Sequence, residues 1–291
     1  MITLQAVALF VFGYAAGGGS GTVLPGLVAI ALFGAASQGL CSVLNDITDI
    51  EVDRINHPER PLASGKVAVN AAWLVVGTCF AGVVVCGLAV AALPVSFVAL
   101  AGHLLLSIAY SFPGVRLGRH WLFGPLALAG ATCCGIVFVL SCTALFQSGG
   151  AGQQASVLIA AVCLMCHLLV IPLKDLKDVR GDASAGGSSL AMRLPRWAIS
   201  SLAVAGYVAP WVLLYFGAQM FGLPTEFPRV ALAFQALAIL FWAIGLVVSG
   251  AITLRPRLLM TSQRFVWFAE LGVLFLFLVT LPVGLLAFMG S

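Results

Sequence analysis

The chain has 291 residues, of which 62% are hydrophobic and only 8% are charged, and its mean hydropathy is +1.12. This composition excludes a soluble globular protein, in which about a quarter of the residues are charged, and predicts an integral membrane protein with lipid as its partner. The formal net charge of +4 is small, and we expect no nucleic-acid partner.

Nine transmembrane helices are predicted from apolar segments that are long enough to cross a bilayer, which takes about 20 residues. They lie at roughly 2–18, 23–44, 71–93, 95–112, 121–146, 155–174, 197–221, 229–253 and 265–288. Helices are expected because a lone segment in lipid must satisfy its own backbone hydrogen bonds, and the alternating pattern of barrel strands is absent. The fold class is therefore all-α, in one membrane domain over residues 1–291. Residues 148–156 are predicted to form a flexible outer loop.

The basic residues predict how the chain is oriented in the membrane. Thirteen of the fourteen Lys and Arg residues lie in the loops that follow predicted spans two, four, six and eight. Because loops rich in Lys and Arg stay in the cytoplasm, these loops and the N-terminus are predicted to be cytoplasmic and the C-terminus to be outside. We expect a membrane of the cell inner-membrane type.

Acidic residues gather in two of the same loops, which the positive-inside rule does not require. Eight of the ten lie there: Asp46, Asp49, Glu51, Asp53, Glu59, Asp175, Asp178 and Asp182. The first cluster has Asn45, Asp49 and Asp53 at i, i+4 and i+8, and the second has its acids at i, i+3 and i+7, so each set shares one face of a continuous helix. Acids in a solvated loop have no reason to share one face of a helix. The shared face therefore predicts a functional site.

The residue types in the two clusters indicate the chemistry of that site. Several carboxylate oxygens close together favour Mg²⁺, which binds through a few carboxylates and substrate phosphates. Magnesium and basic side chains would stabilise the charge that develops on a departing diphosphate. When the diphosphate departs from an allylic carbon, it leaves a cation, and this cation needs a dry pocket in which water cannot quench it. The ring of Tyr110 is a candidate to face that cation, and simple helix packing is the alternative.

Three segments resemble the UbiA superfamily of intramembrane prenyltransferases. NDITDIEVDRINHPERPLASG at 45–65 is similar to the first signature of that superfamily, and KDLKDVRGDASAGGSSLAMRLP at 174–195 to the second. AYSFPGVRLGR at 109–119 is similar to its Tyr-Ser segment followed by a basic residue. The resemblance implies nine helices around a central cavity, capped by cytoplasmic loops at about 45–70 and 175–196. It also implies a prenyl diphosphate bound through two Mg²⁺ ions.

The resemblance further implies roles for individual residues. It assigns the metal ligands Asn45, Asp49 and Asp53 to one ion, and Asp175, Asp178 and Asp182 to the other. It implies catalytic roles for Asp49, Asp53, Asp178, Asp182 and Tyr110. It implies diphosphate binding by Arg60, Arg116, Lys177, Lys174, Arg180 and Ser111. Asp46 points off the ligand face and is expected to act from outside the ligand set.

Two functions of this superfamily fit the residues. The first is transfer of an isoprenyl group from a prenyl diphosphate to an aromatic or other lipophilic acceptor. The alternative is a terpene cyclase, which uses no acceptor. A transporter is disfavoured because the acids lie at one membrane face and not at the midplane between broken helices. A phosphotransferase of the CDP-alcohol type is disfavoured because its Asp-Gly-x-x-Ala-Arg signature is missing.

Four further polar residues need an explanation. His103 and His167 lie inside predicted spans, where they indicate an acceptor pocket or an interhelical hydrogen bond. Glu270 also lies inside a span and is a candidate to orient a substrate hydroxyl or to pair with Arg264. His57 lies in a loop and is expected to be solvated, with contact to the diphosphate as the alternative.

Overall fold

A computed structural model describes residues 2–16, 22–147, 149–176, 179–184 and 186–220, together with positions 240, 243 and 247. In chain order its helices are α1 (Ile2–Ala16), α2 (Leu24–Thr48), α3 (Ile50–Asn56), α4 (Val69–Val90), α5 (Pro94–Ser111), α6 (Phe123–Ser141), α7 (Ala144–Gln147), α8 (Gly150–Asp175), α9 (Val179–Ser184), α10 (Leu190–Arg193) and α11 (Arg196–Met220). A 3-10 turn at Leu117–Arg119 precedes α6. No strand occurs in these residues, and the all-α prediction is confirmed.

The seven longest helices follow the first seven predicted spans. Five segments are long and apolar enough to cross a membrane: α2, α4, α5, α6 and residues Gly152–Leu169 of α8. The predicted spans at 229–253 and 265–288 lie outside the described ranges, apart from three positions. The count of nine spans is therefore not confirmed.

The boundaries of α2 and α8 differ from the prediction, and tertiary burial explains the difference at α8. α2 continues to Thr48 instead of ending near residue 44, so its last turn carries Asn45 and Asp46. α8 begins at Gly150, and the prediction of a flexible loop at 148–156 is wrong. Ala155 and Ser156 are buried in this first part of α8. Tertiary burial therefore outweighs the low helix propensity of the glycines there.

The long helices pack in a sequence of neighbouring pairs. α2 packs against α1, α4 and α5, while α6 packs against α5 and α8, and α8 against α11. The rings of Phe33 on α2 and Phe138 on α6 lie 4.7 Å apart and are fully buried. Helices in lipid approach through small residues. Gly39 illustrates this, because a methyl group there would lie 2.6 Å from Cys79 Sγ on α4.

The outer face of α4 shows how the chain meets lipid. Leu74 is 74% exposed and Val85 is 66% exposed, and Phe80 and Leu88 are exposed on the same helix. In water such a surface would be unstable, whereas in a bilayer it contacts acyl chains.

Polar side chains connect α2 with α5 at matched positions. Ser37 Oγ lies 3.0 Å from His103 Nε2, and Ser111 Oγ donates a hydrogen bond of 3.2 Å to Asn45 Oδ1. Both pairs are 66 residues apart in sequence, which means that α2 and α5 run parallel in constant register. The polar contacts lead along the two helices toward Asn45, where the acidic cluster begins.

His103 occupies the centre of this interface. Its Nδ1 is 2.9 Å from the carbonyl oxygen of Ala131 on α6. Because a carbonyl only accepts, Nδ1 carries the proton and Nε2 accepts from the Ser37 hydroxyl. His103 therefore makes the interhelical hydrogen bonds that were one of its two predicted roles. His167 Nδ1 bonds the Cys163 carbonyl of its own helix at 2.9 Å.

Candidate active site

A cavity of about 170 Å³ lies where α2 and α5 end. Its wall is formed by the α2–α3 junction, the end of α5 with the following loop, the end of α8 and the loop before α10. The lining residues are Asn45, Thr48, Asp49, Val52, Asp53, Asn56, Arg60, Tyr110, Ser111, Arg116, Gly118, Arg119, Asp175, Gly187, Ser188 and Ser189. All three segments singled out in the sequence therefore meet at one place.

The first acidic cluster keeps its helical phase through a break in the helix. α2 ends at Thr48 and α3 begins at Ile50, with Asp49 at the junction. The Asp49 amide still bonds the Asn45 carbonyl at 2.9 Å, and the Asp53 amide bonds the Asp49 carbonyl at 2.7 Å. Asn45, Asp49 and Asp53 therefore face the same cavity, as their spacing predicts.

Arg60 holds two acids of this cluster. Its Nη1 donates to Asp53 Oδ1 at 3.0 Å and Oδ2 at 2.8 Å, and to Asp46 Oδ1 at 3.2 Å. The Asp53 side chain is 6% exposed. A carboxylate so deeply buried needs a cationic partner. Asp46, expected outside the ligand set, is here a partner of Arg60.

The loop after α3 brings Arg60 back to the cluster. The His57 amide bonds the Asp53 carbonyl at 2.7 Å, and the Arg60 amide bonds the His57 carbonyl at 3.0 Å. His57 is buried, and its Nδ1 lies 3.6 Å from Glu59 Oε1. The expectation that His57 is solvated is therefore wrong, because the loop after α3 buries the His57 imidazole.

Arg116 reaches the cluster from the other side. Its Nη2 donates to Asp49 Oδ1 at 2.9 Å and to the Thr48 carbonyl. Arg116 is the one non-glycine residue of the described chain with positive φ, at 43°. This conformation is uncommon for a side chain of its size and marks a position of functional interest.

Burial and charge act in opposite directions on this pair. Burial raises the pKa of the Asp49 carboxyl above its ordinary value, while the Arg116 guanidinium lowers it. Burial also lowers the pKa of Arg116, with Asp49 opposing that change. Each group therefore stabilises the charged form of the other in this partly buried site.

Tyr110 and Ser111 end α5 at the rim of the cavity. Ser111 is buried, and its hydrogen bond to Oδ1 orients the Asn45 carboxamide. The 3-10 turn packs against the Tyr110 ring. A methyl group at Gly118 would lie 3.0 Å from the ring Cζ and from the Tyr110 carbonyl oxygen, so this close approach favours glycine.

The second acidic cluster is only partly within the described chain. α8 ends at Asp175, which lines the cavity, and α9 begins at Val179. Asp175 and Asp182 belong to α8 and α9, and residues 177–178 between these helices lie outside the described ranges, so the shared helical face of the second cluster stays a prediction. Helix α9 packs against α3. Lys177 and Asp178 lie outside the described residues, as do the side chains of Lys174, Arg180 and Asp182.

Several lining residues were not predicted. Asn56 lies three residues after Asp53, and extending the helical phase by one turn would have found it. Arg119 lies within the Tyr-Ser segment, for which the sequence predicts a role of Arg116 only. Ser188 and Ser189 have no sequence signal, because only the docking of their loop brings them to the cavity.

The donor atoms of the cavity suit a magnesium ion. Asn45 supplies an amide oxygen, and Asp49, Asp53 and Asp175 supply carboxylates, which are the hard ligands that Mg²⁺ prefers. No group of three acidic, His or Cys side chains converges tightly within the described residues. In particular, Asp49 and Asp53 are held by different arginines.

The fold and the site define an all-helical membrane protein with an acidic and arginine-rich cavity at the ends of its helices. Residues 6–269 match the model of the UbiA prenyltransferase family, and the chain belongs to that family. It is an integral membrane protein.

Individual relatives share part of the chain. It is 32% identical over 176 residues to a digeranylgeranylglyceryl phosphate synthase of Methanoculleus marisnigri, covering 60% of this chain and 58% of the relative. It is 28% identical over 264 residues to a chloroplastic chlorophyll synthase of Oryza sativa subsp. japonica, covering 79% and 67%. The match therefore spans less than two thirds of the first relative.

The fold also matches solved structures. A UbiA homologue from Archaeoglobus fulgidus bound to GPP and Mg²⁺ aligns with a TM-score of 0.67 at 18% identity, covering 100% of this chain and 95% of the other. The apo structure of a UbiA homologue from Aeropyrum pernix K1 aligns with a TM-score of 0.66 at 19% identity, covering 99% of each chain. At these identities the likeness concerns the fold.

Proposed function

We propose that this protein is a magnesium-dependent intramembrane prenyltransferase that moves an isoprenyl group from a prenyl diphosphate to an aromatic or other lipophilic acceptor. The observation that carries the proposal is the meeting of Asn45, Asp49 and Asp53 with Asp175 and Arg116 around one cavity at the helix ends. The family match and the homologue bound to GPP and Mg²⁺ support it.

The proposed metal ligands are Asn45, Asp49 and Asp53 for one Mg²⁺, and Asp175, Asp178 and Asp182 for a second. When bound, magnesium supplies positive charge that neutralises the diphosphate and makes it a better leaving group. Residues 1–291 form a single domain in this proposal, with 45–70 and 175–196 as its cap.

The arginines have two tasks in the proposed reaction. Arg60 and Arg116 hold the acids in place, as their ion pairs indicate. A guanidinium has five N–H donors in a planar fork, so it can bind a carboxylate and a diphosphate oxygen at once. Lys174, Lys177 and Arg180 are proposed to bind the same diphosphate.

The transfer breaks the bond between the allylic carbon and the diphosphate oxygen, and that electron pair leaves with the diphosphate. The allylic carbon then bonds to the acceptor, which loses a proton. Tyr110, at the rim, is proposed to face the developing cation with its ring. Ser111 is proposed to bind the diphosphate, and its hydrogen bond to Asn45 supports a place beside that ligand. The dry helix bundle keeps water from quenching the cation.

The proposed orientation has the N-terminus and the cavity in the cytoplasm and the C-terminus outside. The cavity lies beside loops rich in Arg and Lys, and such loops remain cytoplasmic. Transfer is favoured over cyclisation because digeranylgeranylglyceryl phosphate, in the name of one relative, joins isoprenyl groups to a glyceryl phosphate.

The test is to incubate the full-length protein in detergent with Mg²⁺ and geranylgeranyl or farnesyl diphosphate, and to measure released diphosphate and organic products. We expect release with a prenylated adduct once a lipophilic acceptor is added, and none after chelation of Mg²⁺. A cyclic hydrocarbon without acceptor would mean a cyclase. No release of diphosphate with any acceptor would refute the proposal.

A further inference from the structure

Ser189 carries a buried hydroxyl that lines the cavity. The residue is 8% exposed, and its Oγ has no hydrogen-bond partner among the described residues. It lines the same cavity as Asp49, Arg116 and Asp175. Buried hydroxyl groups in proteins almost always bond to protein, water or ligand, so the Ser189 hydroxyl is available to a group that enters the cavity.

The ordinary structural role of a serine at this position is missing. Ser189 directly precedes α10 and has the extended backbone of an N-cap residue, with φ −103° and ψ 162°. Serine is preferred there because its oxygen usually accepts from an amide of the first turn. Ser189 makes no such side-chain bond. Its hydroxyl therefore serves neither the helix nor another described side chain.

The neighbouring contacts hold Ser189 against the cavity. The Ser188 amide donates to the Arg119 carbonyl at 3.1 Å, which ties this loop to the segment that carries Arg116. Arg193 Nε donates to Ser188 Oγ at 2.8 Å, and the Arg193 guanidinium lies 5.1 Å from the centre of the Trp121 ring. The loop is thus anchored on both sides of Ser189.

We propose that Ser189 Oγ donates a hydrogen bond to a non-bridging oxygen of the diphosphate bound in this cavity. This assignment rests on the proposed function and adds a binding residue to it. The carboxylates of the cavity repel the anionic diphosphate. A neutral hydroxyl donates a hydrogen bond without adding negative charge, and so complements the arginines. A hydrogen bond from a hydroxyl to a charged phosphate oxygen is stronger than a hydrogen bond to a neutral acceptor.

A second serine provides a matched control. Ser107 also has a buried Oγ, and its described neighbour is the weakly hydrogen-bonding Cys41 thiol. It lies on α5 beside the Cys41 thiol, within a membrane span, and it does not line the cavity. Ser107→Ala therefore removes the same hydroxyl group from a similarly buried position that does not contact the proposed ligand.

The experiment measures binding of inorganic pyrophosphate to the full-length protein in detergent by calorimetry, at one saturating Mg²⁺ concentration. We expect Ser189→Ala to raise the dissociation constant about tenfold, as for the loss of one hydrogen bond to a charged group. Ser107→Ala should bind like the wild type. The KM for the prenyl diphosphate should rise in Ser189→Ala by a similar factor.

A second pair of variants separates hydrogen bonding from packing. Ser189→Thr and Ser189→Val have the same shape, and only threonine keeps the hydroxyl. We expect stronger pyrophosphate binding by the threonine variant. Equal binding by Thr and Val variants, or wild-type binding by Ser189→Ala, would overturn the role of Ser189 alone. A wild type that neither binds pyrophosphate nor releases it from a prenyl diphosphate would overturn the proposed function, and this role with it.

Discussion

Arg60 bridges two carboxylates, and replacing it with alanine leaves both without their cation. Asp53 is the more affected partner, because its side chain is 6% exposed and both of its oxygens accept from Arg60 Nη1. Asp46 is 37% exposed and can be solvated instead. The predicted loss of stability therefore arises mainly from Asp53.

The exposure of the partners sets the size of the effect. Breaking a fully buried pair costs about 4 kcal/mol, and losing an exposed pair costs about 0.5 kcal/mol. Arg60 is 34% exposed, so solvent screens part of the interaction. We expect a loss of about 2 kcal/mol, between these two cases. For a chain of this size that lowers the melting temperature by about 5 °C.

The control is Arg54→Ala in the preceding helix. Arg54 pairs with Glu51 at 2.7 Å, but the two side chains are 56% and 76% exposed. Its loss should lower the melting temperature by only about 1 °C. Arg60→Lys keeps the charge without the planar fork, so we expect an intermediate value.

The assay is thermal unfolding of the full-length protein in detergent, followed by tryptophan fluorescence at one heating rate. A chelator is present and no prenyl diphosphate is added, so that ligand binding does not contribute. Equal melting temperatures for Arg60→Ala and Arg54→Ala would refute the reasoning that burial decides the value of these ion pairs.

Three further predictions concern the cavity and the helix interface. Asp49→Asn should abolish release of diphosphate while the protein stays folded, whereas Glu51→Gln, on the exposed side of α3, should retain most of the activity; equal activities would contradict the assignment of Asp49. Arg116→Ala should raise the KM for the prenyl diphosphate about tenfold, as for a lost hydrogen bond to a charged group, and an unchanged KM would argue against diphosphate binding by Arg116. His103→Ala should lower thermal stability by about 1 kcal/mol, since Ser37 and the Ala131 carbonyl lose their partner. The pyrophosphate affinity of His103→Ala should not change, and a large change would connect this interface to the site.

The helical membrane class and the shared face of Asn45, Asp49 and Asp53 followed from the sequence alone. An apolar segment of sufficient length has one way to satisfy its backbone in lipid, which is the helix. The period of that helix then decides which residues share a face, and this is a local property of the chain. The break at Asp49 did not disturb the prediction, because the backbone hydrogen bonds continue across it.

The packing of the helices decided the rest. Arg60 pairs with Asp53, whereas Arg116 crosses 67 residues of sequence to reach Asp49. Ser189 reaches the same cavity from a loop beyond the second acidic cluster. Sequence spacing predicts none of these meetings, since the free energy that brings distant segments together comes from burial and packing over the whole bundle. Composition and helical period thus determined the class of protein and one face of its site. Only the tertiary structure decided which charges pair, which hydroxyl lines the cavity and where the cavity lies.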